Sequence, residues 1–305
     1  MFDSTIIMLK SVFISTLFLF LSVLAIDVAA QDHKKIYHGK YHKGKSLSSI
    51  SFKGISKNEL ITLYLAGGVS SYNGDLSGNI FSRTYRPQIG GGIMLRTLYL
   101  GKRLNLRVDV RSFRLGSNDV HESRNLNFRS TNWEFLALGQ VDLFPYEKLM
   151  RRRTKINPYA YGGIGLMTYD PWGQQSNGKW TQLRPLETEH VKYGNVAFVY
   201  TGGVGFKYTY NYRWSCMFEA GYRFTTTDYI DDVSGPNYPA GNSFSNPKSA
   251  YMSNKSNKPN PTSVKTGRGG PQYKDGYAIV SLGLTYTFTK HNTRRTTNKG
   301  QLLRK

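Results

Sequence analysis

GVGFKYTYNYRWSCMFEAGYRF, residues 203–224, reads as a tight hairpin whose second half alternates between two environments. Trp214, Cys216, Phe218, Ala220, Tyr222 and Phe224 fall on one face, and Arg213, Ser215, Met217, Glu219, Gly221 and Arg223 on the other. A soluble sheet can alternate as well, because one face covers a core. Two details separate the cases. The apolar face is aromatic at both ends, and the opposite face carries charges of both signs at mid-strand. A transmembrane β-barrel has this pattern, with an aromatic-girdled outer face and a polar interior.

Bulk composition agrees. Mean hydropathy is −0.45 and apolar content only 39%, too polar for a bundle of membrane helices. A barrel tolerates this, since only every second strand residue meets lipid. The 22 Tyr suit membrane interfaces, and the 31 Gly relieve crowding inside a narrow barrel. Residues 1–30 read as a cleaved signal peptide: Lys10, an apolar run Ser11–Ile26, and Val28-Ala29-Ala30 before Gln31. That run is short for a membrane anchor, and no Cys follows it to accept lipid. The lone Cys216 excludes an internal disulfide framework and sits on the outward face as a small apolar residue.

Residues 31–58 are expected to form a basic, disordered periplasmic tail. His33, His38 and His42 there lack Cys or carboxylate partners, so a solvated tail is favoured over a metal site. Residues 59–288 supply eight strand candidates, each long enough to cross a tilted bilayer. They are Leu60–Tyr72, Tyr85–Leu98, Arg103–Leu115, Asn127–Phe144, Ile156–Tyr169, Ala197–Tyr210, Tyr212–Thr225 and Asp275–Phe288. The fourth fits least well, because Leu136 and Leu138 fall on the face that should be polar. Long links (73–84, 116–126, 170–196, 226–274) alternate with shorter ones (99–102, 145–155 and a turn at Asn211). That alternation predicts an eight-stranded antiparallel up-and-down barrel with long extracellular loops and periplasmic termini. Within the longest loop, Ser243–Pro271 is expected to be mobile in its middle.

A barrel of eight strands is filled by its own side chains. Arg107, Asp109, Arg111, Glu134, Lys207, Glu219 and Arg223 fall on inward positions and are expected to pair as an ion network across the lumen.

The formal charge is +22, and removing Lys10, Asp3 and Asp27 with the signal leaves about +23. Its excess lies in residues 31–58, in the turn Lys148, Arg151, Arg152, Arg153 and Lys155, and in residues 289–305, which include Arg294 and Arg295. All three lie on the predicted periplasmic side, a field that draws an acidic partner. An exported barrel makes nucleic acid an improbable partner, and contact with anionic lipid accounts for part of the charge.

Chemistry finds little support. His121-Glu122-Ser123 are adjacent and do not face one another, and Glu187, Glu189 and His190 crowd one loop. Asp228, Asp231 and Asp232 match no calcium-loop spacing. Nucleophile elbow, phosphate loop and Cys/His metal patterns are absent, so no cofactor, metal or small-molecule substrate is expected and the chain reads as non-enzymatic.

Several strings are more specific than periodicity. Arg124-Asn125-Leu126-Asn127-Phe128-Arg129-Ser130 precedes the fourth strand, and Asn157-Pro158-Tyr159 opens the fifth with Gly162-Gly163-Ile164-Gly165 behind it. Gly178-Lys179-Trp180 leads into Leu183-Arg184-Pro185-Leu186-Glu187-Thr188-Glu189, and Thr227-Asp228-Tyr229-Ile230-Asp231-Asp232-Val233-Ser234 closes the seventh strand. Together these resemble the PorG-like family of Bacteroidota outer-membrane barrels, part of the type IX (Por) secretion machinery, over roughly Leu60 to Phe288. Glu187-Thr188-Glu189-His190 departs from the family's more usual Gly-rich ending. The resemblance implies an accessory subunit contacting a periplasmic ring of PorK-type lipoprotein and PorN-type protein, and it carries over no catalytic residues. A surface adhesin or a small porin-like barrel unrelated to secretion is the alternative.

Overall fold

A computed structural model describes residues 61–77, 84–97, 99–119, 124–147, 149–256, 268–270 and 274–288. Eight long strands close an antiparallel barrel: β1 (Ile61–Asn73), β2 (Arg86–Arg96), β3 (Leu104–Asn118), β4 (Asn127–Asp142), β5 (Ile156–Thr168), β8 (Val196–Thr209), β9 (Trp214–Thr225) and β10 (Gly276–Thr287). Two short strands, β6 (Trp172–Gln174) and β7 (Trp180–Gln182), form a hairpin that continues the sheet from β4 through Arg129↔Trp172. Around the barrel each strand pairs with its neighbour in sequence, and β1 pairs with β10 from Thr62↔Thr287 to Asn73↔Gly276. Strand boundaries fall within a few residues of those read from alternation, because the side-chain period of two specifies register wherever one face is buried.

The β8–β9 turn shows how local sequence sets this geometry. The Asn211 side chain accepts hydrogen bonds from the backbone N–H of Arg213 and Trp214, both at 2.8 Å. Asn holds such turns by capping its own downstream backbone. The start of β1, the end of β10 and the links 97–103, 143–155 and 210–213 gather at one end of the barrel (the terminal end), where the Phe288 N–H bonds the Ile61 carbonyl at 3.1 Å. The links 74–85, 119–126, 169–195 and 226–275, which include the two longest, gather at the other end (the loop end). The last of these carries a short helix, α1 (Pro247–Ser253), capped by Asn246, whose side chain accepts from the Lys248 N–H at 2.9 Å. Its middle, 257–267, lies outside the described residues, as do 1–60, 289–305 and His121-Glu122-Ser123.

The outer face is apolar. Leu65, Ile89, Val108, Ile164 and Leu282 stand exposed around its middle, at 51–66%, beside Ile93 and Leu284 at 48% and 47%. Tyr208, Tyr210, Trp214, Tyr286's partner Phe288 and Phe144 ring the terminal end, and Trp133, Phe135, Phe198, Tyr200 and Phe224 the loop end. Among the described residues no helix is long and apolar enough to cross a membrane. Cys216 is exposed on this same face.

Inside, Leu136 and Leu138 are buried, so the apolar inward positions of the fourth strand belong to the core. The reason is on the paired strand. Inward Gly163 and Gly165 of β5 sit opposite Leu138 and Leu136, and a Cβ on either glycine would meet those leucines at under 3 Å. The same device appears in the opening hairpin. Gly203, Gly205 and Gly221 make room for the rings of Tyr159 and Tyr161, which would stand 2.3–2.8 Å from an added Cβ.

Candidate functional site

Six of the seven inward charges, all but Lys207, converge in the bore. Arg107 donates to Asp109 at 2.9 Å, to Gln140 at 3.1 Å, to Tyr64 at 2.9 Å, and to Glu219. Arg111 lies 3.5 Å from Asp109 and 3.9 Å from both Glu134 and Glu219, and Arg223 lies 3.5 Å from Glu134. Tyr159 and Tyr277 complete the carboxylates, donating to Glu219 at 2.9 Å and Glu134 at 2.5 Å. Three arginines thus balance three carboxylates, all at or below 2% exposure. Burying an ion costs several kcal/mol unless it is paired, so balanced charge is the condition for sealing them. Lys207 stands apart, 3.9 Å from Asp142, and joins through Asp142 to Gln140 at 2.6 Å.

Toward the loop end the bore is apolar. Tyr72, Phe113, Phe128, Met167, Val199 and Ile279 fill it, and Leu76, Ile230 and Val233 pack down from the loops. A polar cap follows, which the sequence reading did not assign. Arg268, 1% exposed, donates to the Ser253 carbonyl at 3.1 Å, the Asp232 carbonyl at 3.0 Å, Thr188 at 3.0 Å, and the Glu189 carboxylate. Glu189 in turn accepts the Ser234 and Gly235 N–H groups at 3.1 and 2.8 Å. Arg124 donates to the carbonyls of Arg268 at 2.7 Å and Asp75 at 2.9 Å, so all four long loops are tied together.

The cap is rich in buried carboxylates. The single Tyr72 hydroxyl lies 2.6 Å from both Asp231 and Asp275, and it can donate one proton. Burial holds both carboxyls well above the usual carboxylate range. Burial also pushes Asp228 up to about 6, against a hydrogen bond from Ser234 that works the other way. Asp232 is raised to about 6 by burial despite Arg268 at 3.8 Å and the hydroxyls of Thr188 and Tyr193, each at 2.5 Å. The three aspartates of the Asp228–Asp232 stretch therefore serve the cap. His190, beside Glu189 in the 169–195 link, stacks on Phe244 with centroids 4.2 Å apart.

At the terminal end the basic turn divides. Arg151 and Arg152 lie in a single 3-10 turn and are exposed, as is Lys155. Arg153 is half-buried, with its guanidinium 4.3 Å from the Tyr146 ring centroid and 5.4 Å from that of Tyr212. It also donates to the Tyr146 hydroxyl and the Glu147 carbonyl, which makes it the clamp that folds the turn across the mouth. Arg96 stacks on the same Tyr146 ring at 3.5 Å. Lys148, Arg294 and Arg295 lie outside the described residues.

No protein-family model and no curated protein matches the chain. Among solved structures it is similar to Ail, the attachment invasion locus protein of Yersinia pestis, at 9% identity over 75% of this chain and 97% of that one, with TM-score 0.36. Neisserial surface protein A is 9% identical over 75% and 97%, with TM-score 0.35. The N-terminal β-barrel domain of Pseudomonas aeruginosa OprF is 10% identical over 74% and 97%, with TM-score 0.31.

Proposed function

We propose that this chain is a non-enzymatic outer-membrane barrel with periplasmic termini that anchors a periplasmic ring of the type IX secretion machinery, of PorK/PorN type. The aromatic-girdled apolar band supports membrane insertion. A sealed, charge-balanced bore supports a structural rather than a conducting role. The observation that carries the docking reading is the exposed cationic turn: Arg151, Arg152 and Lys155 project from a link tethered at both ends by barrel strands. Such a turn is preorganised, and arginine pairs bidentately with carboxylates.

The test reverses charge where the turn is exposed and spares its clamp. Arg151→Glu with Arg152→Glu should leave the barrel inserted, as seen by heat-modifiable gel migration. Recovery of the ring lipoprotein in a pull-down should fall, and the wild-type interaction should weaken as salt rises. Unchanged, salt-independent recovery by the double variant places the docking surface elsewhere.

A surface adhesin is the second reading, favoured by the ordered loop cap with Trp172, Val191 and Tyr251 exposed on it. Cell binding to host matrix that disappears on deleting loops 169–195 and 226–275, with secretion intact, decides for it.

A further inference from the structure

Outside the bore, charge on the barrel wall is confined to one place. Among the described residues of the eight long strands, three charged side chains are exposed: Arg86 on β2, Arg114 on β3 and Arg129 on β4. All three are arginines, on consecutive strands, at the loop end. Every other charged residue of those strands is buried or half-buried in the bore. The sheet brings the three together. Gly116 stands opposite Arg129 and two residues from Arg114, and Arg86 Nε lies 3.6 Å from where a Cβ on Gly116 would project. Paired residues of antiparallel strands have Cα atoms about 4.5–5.5 Å apart, and residues two apart on one strand share a face. The cations therefore gather about a position that carries no side chain. Among the described residues none of the three guanidiniums has a hydrogen-bond or ion-pair partner, and Arg129 stacks on the Trp180 ring, 4.1 Å from its centroid.

Their height matches a headgroup layer. Outward residues of β4 run Phe135, Trp133, Thr131, Arg129, and Arg114 pairs with Thr131. Arg114 and Arg129 thus stand two and four residues beyond the girdle residue Trp133, about 5–10 Å higher along a barrel whose strands tilt roughly 40°. Headgroups occupy about 5–8 Å outside the hydrocarbon core of each leaflet. Trp172 pairs with Arg129 from the other side, shares its face and is exposed, and Trp favours the same interface. Asp170, two residues before Trp172, is already engaged by Gln182 at 2.7 and 2.9 Å and by the Trp172 indole N–H at 3.1 Å.

We infer that Arg86, Arg114 and Arg129 bind the phosphate groups of an anionic lipid in the leaflet at the loop end. Guanidinium forks match phosphate oxygens bidentately, and three unpaired cations complement a phosphorylated headgroup. The wall beneath them selects a lipid over a soluble anion: exposed Ile89, Val110 and Phe135 continue the same strands into the apolar band, where acyl chains attached to that headgroup would lie. The inference is independent of the docking reading, which concerns the opposite end.

The experiment is native mass spectrometry of the full chain in detergent micelles, with diphosphorylated lipid A as probe, phosphatidylcholine as control and inorganic phosphate as competitor. Lipid A should remain bound and phosphatidylcholine should not. Arg86→Gln, Arg114→Gln and Arg129→Gln combined should keep heat-modifiable migration and weaken lipid A binding at least about tenfold. Arg151→Gln with Arg152→Gln, at the other end, should weaken it no more than about twofold. Should the triple variant fail to insert, the unmutated chain decides, because dephosphorylated lipid A should bind it at least about tenfold less tightly. Equal binding of the dephosphorylated lipid, equal loss from the terminal-end pair, or no binding by the unmutated chain overturns the inference. Undiminished binding by the triple variant also overturns it and leaves these arginines to a protein partner. Displacement by inorganic phosphate at concentrations matching the lipid's phosphates overturns it as well, by marking a free-anion site.

Discussion

Replacing Arg107 by Met would unbalance the lumen in a way that can be counted. Three arginines and three carboxylates become two and three, and Asp109 and Glu219 are left with Arg111 at 3.5 and 3.9 Å as their remaining cation. Tyr64 and Gln140 each lose a donor as well. Removing one partner of a buried pair costs about 3–5 kcal/mol, which is on the order of a hundredfold or more in the folding equilibrium. Glu219→Gln leaves the opposite imbalance and should cost a comparable amount. The double variant restores neutrality, with Arg111 and Arg223 against Asp109 and Glu134, so it should fall short of the summed single effects by about 2 kcal/mol. Urea unfolding of the chain in lipid vesicles, followed by tryptophan fluorescence and gel mobility, measures all three as shifts in midpoint at constant slope. Strict additivity, or single effects below about 1 kcal/mol, would mean that each charge is hydrated separately and the lumen is wet.

Gly163→Ala should abolish the heat-modifiable form, because its Cβ would lie 2.1 Å from the Ala137 carbonyl oxygen, and Leu138→Ala should not rescue it since the clash is with backbone. Arg268→Ala should leave the barrel intact yet admit protease into residues 226–275, and a cap that stays resistant would show that Arg268 is not its staple. Asp228 titrates near 6 in the folded cap and near 3.9 unfolded. The folded cap thus binds that proton more tightly, so its amide protection should decline as pH rises from about 4 to about 6 and level off above. Asp75 and Glu189 add to the effect and Ser234 and Lys274 oppose it; Asp232, also raised to about 6, contributes its own share, so Asp228→Asn should make the profile shallower without abolishing it, and an unchanged slope would refute the assignment. In planar bilayers the pure protein should show no stable conductance steps, since Phe113, Phe128 and Met167 leave no wet path through the loop half.

Strands were legible because alternation is enforced twice, by the apolar outside and by the crowded inside. Inward charges were legible by the same parity. Their pairing was not, since contacts such as Arg107 to Glu219, 112 residues apart, depend on the stagger of the sheet. Leu136 and Leu138 looked discordant because parity was read one strand at a time. Gly163 and Gly165, which accommodate them, lie on the next strand. Arg153 was grouped with Arg151 and Arg152 by adjacency, and only the rings of Tyr146, on the same link, and Tyr212, on another, set it apart. Arg268 sits in a loop with no period, and its Glu189 partner is 79 residues away. Nothing local announces such a residue.

The β1–β10 seam also dictates an order of events. Thr62 meets Thr287, 225 positions away, and Tyr72 meets Asp275, 203 positions away. Until β10 arrives, β1 keeps an open edge, which is a template for pairing with other chains. The same last strand contributes Thr285 and Thr287 to the floor of the bore and brings Asp275 to its roof. Closure, roof and floor are therefore completed in one late step. A molecule stalled before it would still display an unsatisfied edge, by which quality-control proteases could tell it from the finished barrel.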